Sequence, residues 1–236
     1  MSVNNALFFF GDLFGKFFFC TFIKTKPIYM RTILTISFSF FVLFLSAQDI
    51  KSEVDKLQSL VDNESFIEAL GFADKLIGNR VKEGHQEYAS RVYMLRGIAK
   101  YELELETDAI VDLKMAQSFN NKNFIAYYYI SDIYYKMGQY SSSLENVIYF
   151  LEYDPGSVDG MVIKSKCELE MGNPYGAKMT IQKALALRSS GAELYFIRAV
   201  INAQLGEDVL ACKDIKIADK FGFQSAKSRI EGFCAK

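Results

Sequence analysis

Beyond residue 50 the apolar and small side chains return at steps of three and four. Tyr127, Ile130, Ser131 and Tyr134 make one such series, and Leu144, Val147, Ile148 and Leu151 make the next. That rhythm puts each series on one face of a helix and differs from the two-residue alternation of a strand. The predicted helices come in pairs, and the breaks inside successive pairs carry Gly138, Gly172 and Gly206, which stand 34 residues apart. Five residues after each glycine is a small residue, Ser143, Ala177 or Ala211, with Ala109 one interval earlier. Seven residues further on come Ala116, Phe150, Ala184 and Ala218; twelve residues before the first column stand Gly97, Ser131, Ser165 and Ala199.

Physical chemistry explains the columns. Antiparallel helices approach closely only where side chains are small, so the column from Gly97 to Ala199 on first helices should face the column from Ala109 to Ala211 on second helices. A glycine in the break supplies a backbone conformation that a Cβ makes costly. Pro155 should stop the second helix of its pair, while Pro174 falls at a helix start, where its missing N–H does no harm. One pair cannot bury both its faces; stacking pairs makes a continuous core.

A period of 34 with these columns resembles the tetratricopeptide repeat over roughly residues 50 to 222. The row Ile125 to Ser157 carries the resemblance best, through Tyr127, Ile130, Tyr134, Gly138, Tyr140 and Pro155. It departs at Ser143 and Phe150, where the family has alanine, and wider helix spacing is expected there. The row from Arg91 matches at Tyr93, Gly97, Tyr101, Ala109 and Ala116, with Glu104 in place of the turn glycine. A degenerate first row puts Ala69 forty residues before Ala109, which requires six inserted residues near GNRVKEGHQEY, read as a longer loop. The resemblance implies an all-α fold, a right-handed α-α superhelix (solenoid) of about five helix pairs plus a C-terminal capping helix. The rows fall at about 50–80, 90–123, 124–157, 158–191 and 192–222, with QSAKSRIEGFCAK (224–235 within it) as a polar-faced closing helix.

In this family the first helices line a concave groove. The resemblance places there Arg91, Met94, Ile98, Tyr101, Ile125, Tyr128, Asp132, Tyr135, Val162, Lys166, Leu169, Phe196 and Val200. Tyrosine brings large contact area with few rotamers to freeze, which suits an extended peptide or a partner's helix. Tyr127 and Tyr134 are expected in the core; for Tyr128 and Tyr135 groove and ordinary packing are both open. The Lys/Asn set by which some relatives clamp a terminal carboxylate is lacking, so a chaperone-tail ligand is not expected.

The first 47 residues read differently. Arg31 opens a segment whose uncharged apolar run spans Ile33 to Leu45, followed by Ser46-Ala47 and polar Gln48-Asp49. Thirteen apolar residues suit the core of a secretory signal and fall short of the ~20 needed to span a bilayer. The expectation is a signal peptide over 30–47, cleaved after Ala47, with residues 1–29 an upstream extension and 48–236 the repeat domain. The alternative is that 1–47 remain as an uncleaved anchor. With Gln48 after the cut, a lipid anchor is not expected, and after cleavage no integral membrane domain remains. An exported location, periplasmic or otherwise in the cell envelope, follows from either.

Composition narrows the chemistry. Half the residues are apolar and the formal net charge is −1; without residues 1–47, which carry four Lys or Arg and one Asp, 23 basic face 27 acidic side chains. That surface has no field to hold nucleic acid. The one histidine, His85, lies in the expected loop and reads as solvated, a ligand or base role being the alternative. There is no G-x-S-x-G, no phosphate loop and no C-x-x-C, so no enzyme, cofactor or metal is expected. Glu102, Glu104 and Glu106 read as a solvated edge, and Ser141-Ser142-Ser143 as a helix start whose hydroxyls cap free N–H groups. In an exported compartment Cys212 could pair with Cys234, closing 23 residues, or both could stay thiols; Cys167 reads as an inert core thiol. The expected function is a non-enzymatic scaffold that binds a protein or peptide in the groove, the alternative being a structural module for self-association or assembly.

Overall fold

The computed structural model describes residues 50–79 and 86–234. The signal segment, the upstream extension and most of the insertion loop with His85 lie outside the described residues. Ten helices in five pairs carry the described repeats. They are α1 (50–62) and α2 (Phe66–Asn79), α3 (Gln86–Glu102) and α4 (Glu106–Phe119), α5 (Phe124–Lys136) and α6 (Tyr140–Tyr153), α7 (Val158–Glu170) and α8 (Pro174–Leu187), α9 (Ala192–Gln204) and α10 (Asp208–Lys220). Two short helices follow, α11 (Gln224–Lys227) and α12 (Ile230–Cys234). The described residues contain no strand, and from α2 onward each helix packs chiefly on its neighbours in sequence, the arrangement of an all-α solenoid.

The turn inside each pair repeats atom for atom. Gly138, Gly172 and Gly206 have φ of 72°, 77° and 74°. At each, the glycine N–H donates three residues back and the next N–H donates five residues back, as in Gly138 to Tyr135 (2.9 Å) and Gln139 to Tyr134 (2.8 Å). This double bond satisfies the last carbonyls of the first helix in a left-handed cap. Glu104 makes the same turn at φ 60° and Glu64 at φ 59°, forty residues before it. The six-residue offset seen between Ala69 and Ala109 therefore holds for the turns as well.

The small columns meet as the helix-approach argument requires. Ala109, Ser143, Ala177 and Ala211 are all fully buried, as are Ser131, Ser165 and Ala199. A Cβ on Gly97 would stand 2.8 Å from Leu113 Cγ and 3.3 Å from the Ala109 carbonyl. Ser143 Oγ donates to the Ser131 carbonyl at 2.6 Å, directly across the pair. The Ser141-Ser143 run thus does not cap α6: Gln139 is the N-cap, without a side-chain bond, and Ser143 is turned into the core by its partner on α5. Asn123, Ser157 and Asn173 do cap their helices through side-chain oxygens. Phe150 finds room in a way its column did not foretell, because the next helix presents Gly160, whose added Cβ would lie 2.9 Å from the ring.

Buried charge recurs with the same period. Asp112 takes two bonds from Arg96 (2.8 and 2.6 Å) and one from Lys100 (2.7 Å), and Arg96 lies over the Tyr93 ring. Three intervals later Asp214 takes two bonds from Arg198 (2.8 and 2.7 Å) and one from Asn202 (2.9 Å), and Arg198 lies over Tyr195. Burial alone would lower the Arg96 guanidinium, but its bonds to Asp112 and Asp74 hold it above the ordinary value; Arg198 is raised chiefly by Asp214. In the pair α7–α8 the equivalent columns hold Lys164, Glu168 and Thr180, joined through Glu168. Only α5–α6 among these four pairs has an apolar residue, Ile130, in the cation column.

The C-terminal segment closes the last pair. Ala226, Phe223, Ile230 and Phe233 cover Ala199, Ile215 and Ala218, and a disulfide joins Cys212 on α10 to Cys234 on α12 with Cα atoms 4.8 Å apart. The expected single closing helix is broken in two at Ser228, whose Oγ bonds back to the Ser225 carbonyl (3.3 Å) and competes with the helix ladder. Cys167 is buried and unpaired, its Sγ on Ser143 Oγ at 3.1 Å; burial pushes the thiol up, which disfavours the reactive thiolate.

Candidate functional site

The first helices α3, α5, α7 and α9 touch one another in turn, so side chains three and four apart on each form one continuous face. Polar links cross it from helix to helix. Arg91 reaches Asp55 of α1 at 3.3 Å, Tyr101 donates to Asp132 at 2.6 Å, and Lys166 reaches Glu193 of α9 at 2.7 Å. Lys136 completes the middle link by donating to the Tyr101 hydroxyl (2.8 Å), pairing with Asp132 (3.1 Å) and sitting 4.1 Å over the Tyr101 ring.

Tyrosines surround that link. Tyr129 stands edge-on to both Tyr101 and Tyr128, Tyr128 packs on Phe150, and Tyr135 lies beside Tyr140. Burial, reinforced by Asp132, pushes Tyr101 up to about 12 despite the opposing Lys136. Tyr128 is raised by burial and by Asp159 and Asp132; Tyr129 and Tyr135 are raised by burial first. These four phenols are neutral hydroxyl groups at any ordinary pH. The face can stack on a partner and exchange hydrogen bonds with its backbone.

Of the residues expected in the groove, Arg91, Tyr101, Tyr128, Asp132, Tyr135 and Lys166 are half-buried on this face. Met94 is not a surface residue. It is 6% exposed, and Ile98 and Val162 are 7% and 8%, because adjoining first helices are in direct contact and apolar chains between them are covered. Phe196 is taken up by the C-terminal segment, with Phe223 at 4.7 Å between ring centroids and Arg229 over its face. Tyr129 and Lys136 belong to the cluster and were missed; their signal was the step of one and the step of four from Tyr128 and Asp132.

Tyr127 and Tyr134, expected in the core, instead line a recess of ≈ 360 Å³. Small Ser142 and Asn146 on α6 leave it open, and Lys114 lies 5.4 Å over the Tyr134 ring. A second cavity of ≈ 380 Å³ lies under the C-terminal segment between Ala203, Asp208, Arg229 and Phe233. Among the described residues no group of three His, Cys, Asp or Glu side chains converges as a metal site, and no helix is long and apolar enough to cross a membrane.

Solved structures share this architecture. A structure described as MamA RS-1 ArsTM double mutant superposes with a TM-score of 0.64 at 15% identity, covering 75% of this chain and 96% of its own. MamA 41-end from Desulfovibrio magneticus RS-1 gives 0.64 at 15% identity over 73% and 94%. YrrB, described as a TPR protein with an unusual peptide-binding site, gives 0.62 at 15% identity over 73% and 86%. The fold is that of a tetratricopeptide repeat array. No protein-family model and no curated protein sequence matches the chain. Within the tetratricopeptide fold, the linked tyrosine face occupies the first helices and the Tyr127 recess opens beside α6.

Proposed function

We propose that the chain is a non-enzymatic scaffold of an exported, cell-envelope compartment, which holds an extended segment of a partner protein along the first-helix face. The observation that carries this reading is the row of neutral phenols around the Tyr101–Asp132–Lys136 link, which spans two pairs and is held by the hydrogen bonds of Tyr101 and by ring contacts between its neighbours. Such a surface is preorganised, so little side-chain freedom is lost on binding. The description of YrrB as peptide-binding supports it by analogy of fold. The exported location rests on the segment from Arg31 to Ala47.

The test uses the double variant Tyr128→Ala, Tyr135→Ala. It should keep its helical circular dichroism and lose capture of its partner from envelope extracts; capture at the level of the parent would refute the site. A second reading, self-association, draws on Tyr175 and Val209, which are 72% and 84% exposed on second helices. Light scattering distinguishes the two, since an oligomer that survives the groove substitutions supports self-association.

A further inference from the structure

The recess beside α6 sits where the other pairs carry their buried cation. Tyr127 occupies the column of Tyr93 and Tyr195, Ile130 that of Arg96 and Arg198, Tyr134 that of Lys100 and Asn202, and Asn146 that of Asp112 and Asp214. In two pairs the slot is filled in cis by a guanidinium that lies 5.4 or 5.2 Å over a tyrosine and is clamped by two carboxylate bonds. In α5–α6 the guanidinium is replaced by the fully buried Ile130, which stays in the core, and the slot is left as an opening of ≈ 360 Å³. That volume is at the small end of ligand pockets.

Most of the polar groups around the opening are unspent. Among the described residues, Glu145 makes no ion pair, and the hydroxyls of Tyr127, Tyr134, Tyr149 and Ser142 make no hydrogen bond. Asn146 spends its amide on the Ser142 carbonyl (2.8 Å), leaving its side-chain oxygen as an acceptor. Tyr149, 47% exposed, lies beside Tyr127 with ring centroids 5.5 Å apart and extends the aromatic wall outward. Lys114 also lines the recess, its ammonium 5.4 Å over the Tyr134 ring, which leaves the Tyr127 and Tyr149 side of the opening for an incoming cation.

We propose that this recess is a binding site for a guanidinium group, the arginine side chain of a peptide or protein partner. The planar cation stacks on Tyr127 and Tyr149, and its N–H groups donate to Glu145 and to the Asn146 oxygen. The chain itself shows twice which chemistry fits these columns. Arginine is favoured over lysine because its planar fork can lie flat on an aromatic face while several N–H groups in that plane reach separate acceptors. The site lies on α4, α5 and α6, apart from the tyrosine face, and stands whether or not that face binds a peptide.

The test is an NMR titration of the full chain with the blocked tripeptide acetyl-Gly-Arg-Gly-amide, with arginine amide, and with acetyl-Gly-Lys-Gly-amide. Millimolar binding of both arginine probes, at least about fivefold tighter than the lysine peptide, is expected, with shifts centred on Asn146. Glu145→Gln, on the helix surface, should weaken binding about fivefold or more. The double variant Ile130→Arg, Asn146→Asp rebuilds the internal network of the other pairs and should abolish binding while retaining the fold. Absence of binding, equal binding of the lysine peptide, or unaltered binding by Glu145→Gln would each overturn the proposal. Should the double variant misfold, the Glu145→Gln and lysine arms still decide it.

Discussion

Glycine and glutamate occupy one backbone position in different pairs, and exchanging them should have opposite consequences. Gly172 has φ 77°, and a Cβ added there would meet nothing within 4 Å. Gly172→Ala therefore introduces backbone strain without a clash. A left-handed conformation costs an L-residue about 1–2 kcal/mol, and the stiffer unfolded chain returns about 0.4–1 kcal/mol. The net expectation is a loss of about 1 kcal/mol. Glu104, at φ 60° and exposed, already bears that strain, and Glu104→Gly should gain somewhat under 1 kcal/mol by the same terms reversed. For a chain of this size 1 kcal/mol corresponds to about 2–4 °C in Tm, resolvable by thermal melts followed by circular dichroism. The two turns lie two pairs apart and share no hydrogen bond, so the double variant should melt near the parent. A lower Tm for Glu104→Gly, or an unchanged one for Gly172→Ala, would show that the left-handed cap is not what fixes the 34-residue beat.

Other outcomes follow from the core and the termini. Asp214→Ala strands the Arg198 guanidinium and the Asn202 amide, and should cost about 3 kcal/mol or more in urea denaturation. Tyr101 titrates higher folded than unfolded, at about 12, so its contribution to stability is complete below pH ~10 and disappears as pH rises through the folded value. Alkaline unfolding should accordingly steepen over that window, and Tyr101→Phe should remove part of the steepening. Reduction of Cys212–Cys234 opens a loop of 22 residues' separation and should lower stability by roughly 3 kcal/mol on the chain-entropy estimate, read as a lower Tm in reductant.

The repeat was legible because it is written in residues that are costly to replace. Only small side chains fit where Ser131 meets Ser143, and a positive φ strongly selects glycine, so Gly138, Gly172 and Gly206 declare the period. The groove was legible only in outline. Helical spacing tells which residues share a face with Tyr101, but Met94 and Ile98 share it too and are covered by the adjoining first helices. Phe196 was misplaced since the path of a terminal segment after Phe221 leaves no period to follow. Arg96 with Asp112 reads as two ordinary surface charges until the same pair reappears as Arg198 with Asp214, 102 residues on. The recess of Tyr127 and Tyr134 is visible only by that comparison, as the pair from which the cation is missing.

The Cys212–Cys234 bond has a mechanical consequence. An array whose units grip only their neighbours peels from its ends, and a terminal stub such as α11–α12 would ordinarily be first to lift. Stitched to α10, the stub can depart only by dragging a full-length helix from its seat on α9. Under heat or tension, unravelling is therefore biased toward the opposite end, and the chain acquires a direction in which it comes apart.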